Sequence, residues 1–346
     1  MPNKFKDASF VFNSLFIMNT FGQIFRLSIF GESHGNGIGI VIDGIPPGIP
    51  LAEADFMGDL SRRKSGAPGT TLRKEPDLPK LMSGTWNGFT TGAPLAVFFE
   101  NTNANSSEYD KLRDIPRPGH SDFTARMKFK GYADPRGGGH FSGRITLGLV
   151  TAGVIAKKII NPILIKSKIL ELGGNTNTES AIDEIANTGD SIGGIVECSA
   201  TNIPVGLGEP FFGSIESAIS QLIFSIPAIR GIEFGAGFGA ARMRGSEHND
   251  LFISTEGKTL TNNSGGINGG ITNGNDIVFR VAVKPTSSIA LPQETINIRT
   301  GKLDTLKIEG RHDACIALRM PVIIEAATAI GLADLYLISN KPAINR

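Results

Sequence analysis

The chain has 346 residues, and its 34 lysines and arginines almost balance its 33 aspartates and glutamates, which leaves a formal net charge of +1. A chain this close to neutral is not expected to be a general nucleic-acid or membrane-surface binder. The two cysteines, Cys198 and Cys315, are too few for a disulfide framework, which favours a cytoplasmic location.

The first 17 residues are expected to be an extension with no part in the fold. Their apolar stretch is interrupted by Asn13 and Ser14, and no cleavage site of small residues follows it, which argues against a signal peptide. No apolar run reaches the roughly 18 residues of a membrane span. Residues 18–346 contain no internal repeat and no linker, so we expect a single large domain there.

Strands and helices alternate along this domain. The predicted strands are residues 24–30, 38–42, 95–100, 195–200 and 277–284. The predicted helices are residues 51–64, a long helix capped by Ser142 that runs to residue 160, residues 213–224 and the apolar segment 316–330. Residues 123–129 fit either a short helix or a strand. The alternation has no regular βαβ repeat, so it predicts an α/β or α+β fold.

The five histidines lie in polar, mostly glycine-rich segments, and each has an Arg, Ser or Asp within two residues: His34, His120, His140, His248 and His312. Histidine is the natural proton carrier near pH 7, although a structural or surface role stays open for each of them. No metal site is expected, because neither His-Glu-x-x-His nor paired Cys-x-x-Cys motifs occur. The glycines of residues 235–240 do not have dinucleotide-loop spacing, so a Rossmann loop is not predicted.

Positive charge is concentrated near glycines. Cations recur in RRK at 62–64, RK at 73–74, KPTSS at 284–288, RHD at 311–313 and six positions from Arg117 to Arg144. The 43 glycines make up about 12% of the chain, against a usual 7% or so. Arginine matches carboxylates and phosphates bidentately, and glycine lets backbone N–H groups approach phosphate. The pattern favours a small polyanionic ligand beside a phosphate-bearing cofactor, with solvated surface patches on a turn-rich scaffold as the alternative.

Many segments, in the same order along the chain, resemble the chorismate synthase family across residues 20–338. They are FGQIFRLSIFGESHG at 21–35, DGIPPGIPL at 43–51, RRKSG at 62–66, RKEPD at 73–77, SGTWNGFTTGAPLA at 83–96, RPGHSD at 117–122, DPRGGGHFSGR at 134–144, GDSIGG at 189–194, GLGEP at 206–210, RGIEFGAGF at 231–238, NNSGGINGGI at 262–271, KPTSS at 284–288 and GRHDAC at 310–315.

This resemblance implies a β-α-β sandwich fold rather than a Rossmann domain, and a homotetramer. It also implies a carbon–oxygen lyase of the shikimate pathway that makes chorismate by anti 1,4-elimination of phosphate from 5-enolpyruvylshikimate 3-phosphate. The reaction has no net redox change, yet it requires reduced FMN. The flavin is reduced either by the enzyme with NADPH or by an external flavin reductase, and the lack of a nucleotide motif favours external reduction.

The resemblance also assigns roles to residues. His34 would protonate or hold the reduced flavin, His120 would assist the departing phosphate as an acid, and Asp313 would help to pass the flavin proton away. Ser33 and Ser142 would orient groups near flavin and substrate. The substrate's anions would bind to Arg62, Arg63, Arg117 and Arg144. FMN would contact His140, Phe141, Ser142, Pro227, Ala228, Gly269, Lys284, Pro285, Thr286, Ser287, Ser288 and Arg311.

The chain departs from the family pattern at several of these positions. Many members have Arg at the position of His140, Ser at Phe141 and Asn at Pro227, so a cationic contact to FMN here depends on protonation of His140. An arginine that relatives often place near Gly69 is missing. Two other classes of function are weighed against the lyase: a flavin reductase or other flavin oxidoreductase, and an RNA-binding protein that uses the basic segment 117–144. Near-zero charge and few interleaved aromatic residues count against the latter.

Overall fold

The computed structural model describes residues 19–66, 68–71, 75–102, 113–308 and 313–340. The expected extension 1–17, the pair Arg73 and Lys74, and the predicted site residues Arg311 and His312 lie outside the described residues.

Short strands and seven helices make up the described part of the chain. The strands are β1 (Thr20–Phe21), β2 (Arg26–Gly31), β3 (Gly37–Asp43), β4 (Lys80–Ser83), β5 (Thr85–Trp86), β6 (Phe89–Thr90), β7 (Leu95–Glu100), β8 (Leu164–Leu172), β9 (Gly194–Thr201), β10 (Ile229–Phe234), β11 (Ile267–Asn268), β12 (Ile271–Thr272), β13 (Ile277–Val283), β14 (Gln293–Asn297) and β15 (Lys302–Leu306). The helices are α1 (Ala54–Arg63), α2 (Asp122–Lys128), α3 (Thr146–Ile159), α4 (Thr178–Ile185), α5 (Ile215–Ser225), α6 (Gly245–His248) and α7 (Met320–Ser339).

Two antiparallel sheets enclose a layer of helices. The first sheet has the strand order β1-β2-β3-β7-β4 and the second β10-β13-β9-β8. Helix α3 packs on β3 of the first sheet, α7 packs on β8 and β9 of the second, and the two helices pack on each other. The predicted sandwich is confirmed, and its antiparallel sheets place it in the α+β class.

The contact between α3 and α7 depends on a glycine. A Cβ built on Gly153 would lie 2.4 Å from the Cβ of Ala326, far inside van der Waals contact. Glycine therefore lets the two helix backbones approach closely at this point. The apolar side chains around them form one continuous core that reaches both sheets.

Most predicted elements are present with small changes of boundary. Residues 123–129, left undecided from the sequence, lie largely in helix α2. The hydroxyl of Ser142 accepts a hydrogen bond from the backbone N–H of Arg144, as expected of a cap, although it caps a 3-10 turn, Gly143–Ile145, that precedes α3. Strands β8 and β10 and the hairpin β14–β15 were not predicted.

The carboxy-terminal helix is longer than predicted. A 3-10 turn, Ile316–Arg319, leads into α7, and Pro321 lies in the first turn of α7, where proline is tolerated. The segment Ile316–Ser339 is long and apolar enough to cross a membrane, but 78% of its most apolar window is buried inside the protein. It is therefore the central helix of the core.

Candidate active site

A cavity of about 1210 Å³ lies at one end of the helical layer, somewhat larger than the roughly 300–1,000 Å³ of common ligand pockets. It brings together most of the residues assigned from the sequence. Those in its wall are Ser33, His34, Arg63, Arg117, His120, His140, Phe141, Ser142, Arg144, Pro227, Ala228, Lys284, Pro285, Thr286, Ser287, Ser288 and Asp313.

The structure places two assigned residues elsewhere. Arg62 points away from the cavity and donates to both carboxylate oxygens of Glu325, at 2.6 and 2.8 Å, because consecutive helical residues face different directions. Gly269 lies in the turn between β11 and β12, and its neighbour Gly270 packs on Ser214, the residue before α5. The opposite, carboxy-terminal end of α5 is the one that reaches the cavity. Neither residue can contact a ligand in this cavity within one chain.

Asp77 joins two arginines from different segments of the chain at the cavity wall, Arg63 at the end of α1 and Arg144 in the 3-10 turn before α3. Its Oδ2 accepts from Nη2 of Arg63 at 2.8 Å, and its Oδ1 accepts from Nη1 of Arg144 at 2.9 Å. Burial opposes ionisation of this carboxyl, but the charges of Arg63 and Arg144 outweigh burial and hold the pKa of Asp77 below its ordinary value. The carboxylate fixes the orientation of both guanidinium groups.

Several N–H groups of these arginines have no hydrogen-bond partner among the described residues. They are Nε and Nη1 of Arg63 and Nη2 of Arg144, all buried. Burial, and next the nearby charge of Arg319, lower the pKa of Arg63 to about 10, so its guanidinium remains protonated at neutral pH. Buried polar groups are rarely left unpaired, so this end of the cavity is built to receive an anion.

Asp313 is held beside this cluster. Its Oδ1 accepts from the backbone N–H of Thr71 at 2.8 Å, and its Oδ2 lies 3.3 Å from Nη1 of Arg319. Arg319 also donates to the backbone oxygen of Arg63 at 2.9 Å. The carboxylate predicted from the RHD motif therefore lies close to the arginine cluster.

A second polar cluster contains His120. Arg117 donates to Asp122 through Nε at 2.7 Å and through Nη2 at 2.8 Å, and it donates to Ser288 through Nη1 at 3.0 Å. Nδ1 of His120 lies 2.6 Å from Oδ1 of Asp122. Burial works against ionisation of Asp122, but the hydrogen bonds from Arg117 and His120 hold its pKa well below the ordinary value.

The glycine run at 137–139 explains how two histidines reach one cavity. A Cβ on Gly137 would lie 2.2 Å from the ring of His34, and one on Gly138 would lie 3.2 Å from the ring of His120. Both glycines have positive φ, 58° and 81°. The backbone passes between the rings in a conformation that only glycine adopts easily.

The segment after β13 forms a cradle with cationic and hydroxyl groups. Nζ of Lys284 donates to Oγ of Ser287 at 2.6 Å, and the buried Oγ1 of Thr286 has no partner among the described residues. Burial, followed by the charge of Arg230, lowers the pKa of Lys284. Two neighbouring cations and an unpaired hydroxyl suit a phosphate group.

His140, Phe141 and Ala228 complete the wall near this cradle. Nδ1 of His140 lies 2.9 Å from the backbone oxygen of Gly31, so the ring donates there and turns Nε2 outward. Phe141 is partly exposed. Ala228 has a positive φ of 76°, and its carbonyl accepts from the N–H of Lys284 at 2.9 Å. Relatives often have an arginine near Gly69. In this chain a Cβ added to Gly69 would meet Leu318 and Ile182 rather than a polar group.

Part of the cavity wall is apolar. Side chains from β2, α3 and α5 supply it: Leu27, Ile29, Leu149, Leu222 and Phe224. The cavity thus combines two cationic regions with an apolar surface. Among the described residues, no group of three or more His, Cys, Asp or Glu could hold a metal ion.

Three residues of the site have no role predicted from the sequence: Asp77, Asp122 and Arg319. The first two are the last residues of the matched segments RKEPD and RPGHSD, each of which also contains a cationic residue. Arg319 interrupts the apolar segment 316–330, and a charge in a buried segment is itself a signal, because such residues are seldom buried without a partner.

Comparisons with known proteins show the family of this chain. A family model described as chorismate synthase matches residues 25–337. A chorismate synthase from Chitinophaga pinensis is 57% identical over 325 residues, covering 94% of this chain and 98% of the relative. A chorismate synthase from Pyrococcus abyssi is 45% identical, covering 90% of this chain and 96% of the relative. A solved structure, "Crystal Structure of Chorismate Synthase", superposes with a TM-score of 0.70 at 28% identity and covers 92% of this chain and 93% of that one.

Proposed function

Because this chain belongs to the chorismate synthase family and is a lyase that converts 5-enolpyruvylshikimate 3-phosphate to chorismate and phosphate, we propose that its cavity binds that substrate beside reduced FMN. The observation that carries the proposal is the set of buried N–H groups on Arg63 and Arg144 that have no partner among the described residues, in a cavity that also holds His120.

The charges of the substrate match the cations of the wall. Two carboxylates and a phosphate require several fixed donors, and Arg63, Arg144 and Arg117 each come with a carboxylate that orients them. Arg319 adds a further positive charge next to Arg63. Arg62 is left out of this proposal, since Glu325 occupies its guanidinium.

The residues fit a flavin mononucleotide as well. The unpaired Thr286 hydroxyl, with Lys284 and Arg230, would hold its phosphate, and Leu27, Leu149 and Leu222 would contact its ring. The chemistry that reduced FMN would supply there is transient donation of an electron and acceptance of the hydrogen at carbon 6 of the substrate. Orienting the two molecules together is the work of the protein.

His120 is the acid for the leaving group in this proposal. The phosphate oxygen gains charge as its bond to carbon breaks, and a proton from His120 with the charge of Arg117 stabilises it. His34 and Ser33, on the opposite side of the glycine run, would hold or protonate the flavin, and Asp313 would pass that proton on. Ser142 orients Arg144 through its cap.

Further parts of the proposal concern the setting of the enzyme. We infer a cytoplasmic enzyme, in keeping with the free, buried thiols Cys198 and Cys315. We also infer a homotetramer. The flavin is reduced either by the enzyme with NADPH or by an external reductase. A flavin oxidoreductase would instead consume reduced nucleotide steadily, and an RNA-binding protein would bind with a steep salt dependence.

The test is anaerobic turnover. Protein is mixed with reduced FMN and 5-enolpyruvylshikimate 3-phosphate, and chorismate absorbance and released phosphate are followed. We expect equal amounts of both products, and a loss of about 10²-fold or more in His120→Ala, the usual scale for a general acid. His248→Ala, which changes a histidine outside the cavity wall, is the matched control and should keep wild-type turnover. No product with wild-type protein, or a change below twofold in His120→Ala, would contradict the proposal.

A further inference from the structure

The contacts of the His120 ring restrict which of its nitrogens can carry a proton. Its Nδ1 lies 2.6 Å from Oδ1 of Asp122, a carboxylate that also accepts three hydrogen bonds from Arg117, one of them from its backbone N–H. An ionised carboxylate can only accept, and two acceptor lone pairs would repel each other at this distance. Nδ1 therefore carries a proton, and Nε2 is the nitrogen that gains and loses one.

Two other polar groups lie within hydrogen-bond distance of Nδ1, and neither is as close to it as Oδ1 of Asp122. Nη2 of Arg117 lies 3.0 Å from Nδ1, but it also donates to Oδ1 of Asp122, and Oγ of Ser121 lies 3.4 Å from Nδ1. On the far side, a Cβ added to Gly138 would lie 3.4 Å from Nε2. Within the described residues, the charged groups in contact with the ring are thus Arg117, which opposes a positive imidazole, and Asp122, which favours it.

We propose that Asp122 is the positioning residue of this reaction, which fixes His120 with one proton on Nδ1 and so places the transferable proton on Nε2. The inference rests on the proposed function. As the carbon–oxygen bond breaks, its electron pair leaves with the phosphate oxygen, the Nε2 proton moves to that oxygen, and His120 becomes neutral with Nδ1–H still bound to Asp122. The carboxylate favours the charged ring before transfer and keeps the required tautomer after it.

A purely structural role must be separated from this one, because the same carboxylate holds Arg117. The first experiment needs no turnover. Both ring nitrogens of the histidines are labelled with ¹⁵N, and the His120 signals are identified by their absence in His120→Gln. At alkaline pH, where the ring is neutral, wild-type His120 is expected as the Nδ1–H tautomer. In Asp122→Asn a substantial share of Nε2–H is expected, because the amide can present its N–H to Nδ1. Wild-type protein with Nε2–H, or an unchanged tautomer in the variant, would overturn the proposal.

The second experiment measures whether Asp122 acts through His120. Asp122→Asn should lower kcat by about 10²–10⁴-fold, the scale for an acid–base histidine in the wrong tautomer. In a His120→Gln background the same change should lower kcat less than threefold, since the two residues act as a unit. An equal loss in both backgrounds would overturn the proposal.

Asp114→Asn is the matched control. Asp114 also pairs with two arginines, Arg126 and Arg299, but lies outside the cavity wall, so kcat should stay within twofold of wild type. The wild-type tautomer decides the proposal even where Asp122→Asn does not fold. It is also independent of whether wild-type protein forms chorismate, so a failure of the proposed function is seen separately.

Discussion

Two carboxylates of this protein each join cations from separate segments of the chain, and the two sites differ in the donors that they leave without a hydrogen-bond partner among the described residues. Glu325 on α7 accepts hydrogen bonds from both terminal nitrogens of Arg62, and it lies 3.5 Å from Nζ of Lys157. Asp77 accepts one hydrogen bond from Arg63 and one from Arg144. Three further nitrogen atoms of those arginines are buried without a partner in the described structure. The Glu325 site is satisfied and the Asp77 site is not, so the first fits a structural role and the second a ligand site.

The largest expected difference is in kcat/KM between variants of the two neighbouring arginines, Arg62 and Arg63. Arg63→Met removes the buried cation and should lower kcat/KM by about 10²–10³-fold, because losing a buried charge contact costs about 2–5 kcal/mol. Arg62→Met, the matched control one residue away, should change kcat/KM less than threefold. Steady-state kinetics on both variants measures this, and similar losses in the two would break the distinction.

The next effect concerns stability at acid pH. Since the pKa of Asp77 is lowered in the folded state, its contribution to stability is present above its unfolded pKa of about 3.9 and is lost as pH falls toward the folded value. Asp77→Asn should be less stable than wild type by about 3 kcal/mol at pH 7, and the gap should narrow below pH 4. Urea unfolding from pH 7 to pH 3 measures it. A gap that stays constant or widens in acid would be evidence against this role.

The smallest expected effect is at the satisfied site. Glu325→Gln keeps the shape of the side chain but removes its charge, while Arg62 is half-exposed and can turn to water. The free energy of unfolding should fall by about 1–2 kcal/mol, with turnover within twofold of wild type. Turnover that falls as far as in Arg63→Met would show that this site also serves the reaction.

The sequence predicts much of the fold because local signals and burial agree there. Strand β7 (Leu95–Glu100) has the predicted boundaries, since it is a short continuous apolar run and the chain beyond it is polar. The cap at Ser142 follows from its hydroxyl. By contrast, β8 alternates between exposed and half-buried residues at the edge of its sheet, so its pattern is weak.

The candidate site is less predictable than the fold, because motifs do not give directions in space. The pair Arg62-Arg63 has one sequence context, yet a helix turns consecutive side chains apart, and only Arg63 faces the cavity. Asp77 adopts a positive φ of 47°, which brings its carboxylate between two arginines that are distant in sequence. Gly269 belongs to a matched segment but lies outside the cavity wall.

The central claim is that the unpaired donors of Arg63 and Arg144 bind the anionic groups of the substrate. Calorimetric titration of 5-enolpyruvylshikimate 3-phosphate into wild type, Arg62→Met and Arg63→Met tests it without turnover. We expect equal Kd values, within twofold, for wild type and Arg62→Met, and binding weaker by about 10²-fold in Arg63→Met. Equal weakening in both variants, or none in either, would contradict it.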